Sequence, residues 1–164
     1  GDAVGMMTFG GDTRYVPPRK SQAQSQHLLA RVFDLQSSLH APDYYQAAVQ
    51  LLRQQRKRSL VVLVSNLRDE DDSGLFAGVQ LLRQRHLVVV ASLREQILDA
   101  ALRAPTDTLD AALTQAATAQ YLEQRKRGFA LLQASKIPCL DVEPQNLAVA
   151  LINHYQDMKR RGAI

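Results

Sequence analysis

Few of the residues that usually announce chemistry occur in this chain. A single cysteine, Cys139, excludes an intrachain disulfide and any multi-cysteine zinc site. It follows Pro138 in a short apolar run, which favours a small core residue over a nucleophile. There is no tryptophan, and aromatics make up only 5% of the residues, which argues against base stacking on nucleic acid. No apolar run approaches the roughly 20 residues of a membrane span. No charged-then-apolar leader and no Asn-x-Ser/Thr acceptor occur. The expectation is a soluble domain of a reducing, cytoplasmic compartment.

Reaction motifs are missing too. The chain has no Gly-x-Ser-x-Gly, no Gly-rich phosphate loop with its Lys, and no Gly-x-Gly-x-x-Gly. Gly10-Gly11 reads as a turn, because no helix begins directly behind it. His27, His40, His86 and His154 are scattered without a pair at ligand spacing, so each is expected at the surface or an interface.

The charge balance is mild. Twenty basic and 16 acidic residues give a formal +4, compatible with an acidic partner but short of a nucleic-acid stripe. The densest basic run, Arg53 to Arg58, reads first as a solvated helix end that suits the helix dipole. Nucleic-acid binding through it would predict steep salt dependence, and no nucleic-acid partner is expected. The acidic run Asp69 to Asp72 lacks the spaced ligands and central Gly of a calcium loop. It reads as a solvated loop, with Asp72 or Ser73 capping the next helix, or as a docking patch for a basic partner.

What is present is an alternation of apolar runs and amphipathic stretches, with 46% hydrophobic residues, enough for one domain with a sizeable core. Leu60 to Val64 is five apolar residues in a row, which predicts a strand buried on both faces. It ends in Ser65-Asn66, and after one helix length Leu87 to Ser92 repeats the pattern. Strand, helix, strand predicts a parallel α/β layout, in which ligands meet the loops after the strands. Asn66 therefore sits where such folds bind, although a turn-forming Asn explains it equally well.

The remaining elements follow from spacing and caps. Residues 3–9 predict a strand, with 13–16 returning antiparallel until Pro17-Pro18 stops it. Ser21 with Gln24, and Ser92 with Glu95, match capping boxes for two helices. In the first, Leu28, Val32, Leu35 and Leu39 form the buried face. Pro42-Asp43 opens a helix with Tyr44, Ala48 and Leu51 on one face, and Asp43 is first an N-cap carboxylate, a role compatible with ligation. Leu75, Val79 and Leu82 mark a third helix. Asp107 begins a long one reaching about Ser135, with Leu109, Leu113, Ala116, Leu122, Phe129 and Leu132 inward. Residues 137–142 predict the last strand, and Pro144 opens a final helix that Gly162 ends.

The order of these blocks resembles a known family. Val4 to Phe9, Pro17-Pro18-Arg19, Asp43-Tyr44 and Leu60 to Leu67 match its opening, and His86 to Arg94 with Tyr121 and Arg125 to Arg127 continue it. Leu140 to Pro144, Leu147 to Tyr155 and Lys159 to Gly162 close it. Together they resemble the bacterial domain-of-unknown-function 58 family, which has a von Willebrand factor type A-like fold. The resemblance implies a Rossmann-like, mainly parallel sheet flanked by helices over residues 1–164, lacking the first strand. It further implies a fragment of a longer, membrane-anchored parent encoded near a MoxR-type AAA+ ATPase. Adaptor or scaffold roles are implied rather than enzymatic activity.

Domains of that type often carry a magnesium site built on an Asp-x-Ser-x-Ser motif, a Thr and an Asp. By this resemblance Asp43 falls at the Thr and Asn66 at the second Asp, and the first motif lies outside the chain. Two ligands do not make a site, so no cofactor is expected unless the parent completes one with Mg²⁺. The absent strand would have lain between 4–9 and 60–64. These two strands are therefore expected to pair directly, or to borrow a partner from a second molecule as a homo-oligomer through exposed edges. The functional expectation is a protein-interaction face centred on Asp43, Asn66, Arg68 and Asp69, in the loops 10–13, 40–44, 65–72 and 92–94. The competing class is a Rossmann-like hydrolase or nucleotide-using enzyme, which would need a convergent base and nucleophile.

Overall fold

A computed structural model describes residues 2–36, 38, 41–66 and 72–164, with the side chains of Asp72 and Ser73 outside the description. The protein is mixed α/β and divides into two compact units, Gly1–Arg58 with Ser73–Gln84 and Ser59–Asp72 with Arg85–Ile164.

The first unit starts with an antiparallel ribbon of β1 (Val4–Met7) and β2 (Tyr15–Arg19). The prolines do not stop the second strand as expected: β2 runs through Pro17 and Pro18 to Arg19. It can do so because, among the described residues, it pairs on one side only and the register shifts by a residue between Val4 and Met6. Gly5 makes the close approach possible, since a Cβ there would lie 2.7 Å from Pro18 N and Val16 O. Helix α1 (Gln24–Val32) follows, without the expected capping box. Ser21 Oγ accepts from Ala23 N at 3.2 Å. The buried Gln24 side chain donates instead to Val4 O at 2.8 Å and Pro17 O at 3.1 Å, tying the helix to both strands. Two strand carbonyls recruited the amide that local pattern assigned to the cap. Leu28, Val32 and Leu35 are half-buried, and Leu39 lies outside the described residues.

Helix α2 (Tyr44–Gln54) begins where Asp43 accepts from Gln46 N at 2.9 Å, the expected N-cap. Tyr44, Ala47 and Ala48 are buried, and Phe9 meets Tyr44 edge-on with ring centroids 5.3 Å apart. Helix α3 (Asp72–Arg83) buries Leu75, Val79 and Leu82 as its spacing predicts. Gly78 lets α3 touch α2, because a Cβ there would stand 2.6 Å from Tyr44 O.

The second unit contains a parallel sheet in the order β3 (Leu60–Ser65), β4 (Leu87–Leu93), β5 (Cys139–Val142). The parallel pairing of the two apolar runs is as expected, but the burial on both faces expected of 60–64 is found along the second run instead. Among the described residues the central strand is β4, whose Val88 to Ser92 are buried, whereas β3 pairs on one side, with Val62 37% and Val64 42% exposed. Among the described residues, β1 pairs within the two-stranded sheet of the first unit and β3 within the three-stranded sheet of the second. Ser92 is likewise a strand residue rather than a cap.

Helix α4 (Gln96–Arg103) follows Glu95, whose side chain makes no cap bond. Helix α5 (Leu109–Ala134) is capped by Thr108, which accepts from Ala111 N at 3.2 Å, one residue later than the expected Asp107. Its inner face is Thr118, Arg125, Gly128 and Leu132, and Leu109 and Leu113 point out. Gln115 Nε2 donates to Leu102 O at 2.7 Å and joins α5 to α4. A 3-10 turn, Pro144–Asn146, leads into α6 (Leu147–Arg160), where Leu147, Leu151, Tyr155 and Met158 are half-buried. Gly162, at φ +67°, closes α6 with Gly162 N donating to Lys159 O and Ala163 N to Met158 O, each at 3.0 Å.

Candidate functional site

Parallel strands release their chains at one edge of the sheet, so the exits of β3, β4 and β5 form a common rim. The register sets Ser65 beside Ser92 and Ser92 beside Asp141, a polar row across all three strands. Just beyond it come Asn66, then Arg94 and Glu95, then Glu143. Asn66 Nδ2 donates to Glu95 Oε1 at 3.4 Å, a long bond between two exits. Arg94 N donates to Val142 O at 2.9 Å, which extends the ladder past β4. The Arg94 guanidinium stands 3.7 Å from Glu143 and 3.9 Å from Asp99. These pairs are half-exposed and hold direction more than stability.

Glu143 gathers several donors on the rim. Its Oε2 accepts from Gln96 Nε2 at 3.1 Å, Gln145 Nε2 at 2.8 Å and Asn146 Nδ2 at 3.4 Å. Beneath lies Arg125 of α5, only 4% exposed. It donates from Nη1 to Leu93 O at 3.2 Å and from Nη2 to Asp141 Oδ1, and its guanidinium lies 5.3 Å over the Phe129 ring. Backbone carbonyl, carboxylate and aromatic face together satisfy a buried cation.

The residues expected at the centre of the face are distributed as follows. Asn66 stands on the rim, while Asp43 belongs to the other unit as the cap of α2. Arg68 and Asp69 lie outside the described residues, as does His40. Of the loops expected to carry the face, 10–13 and the described part of 40–44 belong to the first unit, and Asn66 and 92–94 to the second. Among the described residues, no three His, Cys, Asp or Glu side chains are grouped to hold a metal ion.

Two further sequence expectations are refined. His86, expected at the surface or an interface, is buried at the entry to β4. Cys139 is half-buried, donates to Ile137 O at 3.2 Å, and has its thiol pushed up to about 11 by burial, so it stays protonated at neutral pH. The residues that spacing alone missed are Arg125, Asp141 and Glu143. A signal existed for the first. Arg125 lies at helical spacing with Thr118, Leu122 and Leu132 on the inward face, and an arginine so placed demands a carboxylate.

No curated protein and no solved structure matches the chain. The family described as "Protein of unknown function DUF58" matches residues 1–127, from β1 through most of α5. With more than three quarters of its length matched, the chain belongs to the DUF58 family.

Proposed function

We propose that this protein is a non-enzymatic interaction or scaffold domain whose recognition face is the strand-exit rim of the second unit. The observation that carries the reading is the bonding of the rim. Asn66 to Glu95 and Arg94 to Glu143 tie side chains from successive exits to one another, and Arg125 of α5 anchors Asp141 from beneath, so they stand in fixed directions. Preorganised polar groups with half-exposed heads suit a protein surface, where they set specificity and register. In this reading the fold is von Willebrand factor type A-like, and the partner is the MoxR-type AAA+ ATPase that the family resemblance suggests. The parent is a membrane-associated bacterial protein, with this domain on the cytoplasmic side.

A purified MoxR-type ATPase immobilised on an interferometry tip tests the proposal. Saturable binding is expected for the unaltered chain. Asn66→Ala combined with Glu95→Ala, at exposed or half-exposed positions, should weaken it by about tenfold, roughly 1.4 kcal/mol. Equal binding by both proteins would remove the rim from the interface, and no binding by either would remove the partner.

A further inference from the structure

We draw no further inference here: the strongest candidate, the exposed apolar side chains of the α4–α5 pair, Ile97, Leu109 and Leu113, carries nothing because nothing in the structure shows what covers them.

Discussion

Arg125 and Asp141 are joined across the gap between α5 and the end of β5, the arginine 4% and the aspartate 43% exposed at the side chain. The pair is lopsided. Its cation is buried and depends on a carboxylate that water can reach.

Removing that carboxylate strands a buried charge. Asp141→Ala is expected to cost about 2 kcal/mol in denaturant unfolding, below the 3–5 kcal/mol of a fully enclosed pair because water can partly replace the aspartate. Arg125→Met in the Asp141→Ala background should recover part of the loss by deleting the orphaned cation. A double variant less stable than Asp141→Ala would mean that the guanidinium is held mainly by Leu93 O and Phe129.

Two glycines four residues apart on α3 should answer the same substitution with opposite signs. At Gly74 nothing lies within 4 Å of an added Cβ, so Gly74→Ala gains helix propensity, up to about 1 kcal/mol. At Gly78 the new methyl meets the Tyr44 carbonyl at 2.6 Å, so Gly78→Ala should destabilise by about 1–2 kcal/mol after the propensity gain is subtracted. Thermal unfolding of the two variants side by side decides it, and equal shifts would place α2 and α3 farther apart.

In the first unit Arg14 donates to Asp34 Oδ1 at 2.5 Å, to Arg31 O at 2.8 Å and to Asp12 Oδ2 at 3.2 Å. The hydrogen bond from Arg14 holds the Asp34 carboxyl below its ordinary 3.8, with burial opposing the shift. A carboxyl depressed in the folded state adds stability above its unfolded value, and that stability is lost as pH falls through the folded one. Nuclear magnetic resonance titration should therefore place Asp34 below its ordinary value, and Arg14→Ala should move the midpoint up. The stability difference between the two proteins should be constant near neutral pH and shrink below about pH 4.

Cys139 should resist modification. With its thiol pushed up to about 11, a disulfide reagent at pH 7.5 should react with the folded chain far more slowly than with the denatured one. Equal rates would mean that β5 opens readily.

Sequence reading succeeded where a single element carried its own evidence. Asp43 before an amphipathic run gave the α2 cap, the spacing of Leu75, Val79 and Leu82 gave the α3 face, and Gly162 gave the end of α6. It failed where the outcome depended on neighbours. Five apolar residues in β3 predict burial on both faces, yet burial depends on the pairing order, which no local run records. Ser21 with Gln24 and Ser92 with Glu95 fit a capping pattern, but strand carbonyls claimed Gln24 and the ladder claimed Ser92. Leu109 and Leu113 satisfied helical spacing on a helix whose first half is largely exposed. Of the rim, Asn66 and Arg94 were legible as strand exits, whereas Asp141 and Glu143 needed the third strand to be placed.

The ribbon of β1 and β2 has one more consequence. Consecutive residues look to opposite sides of a strand, so Pro17 and Pro18 delete one amide donor on each flank of β2. An invading chain cannot complete a hydrogen-bond ladder along it. Should this protein clump under stress, the diproline ribbon would be a poor seed.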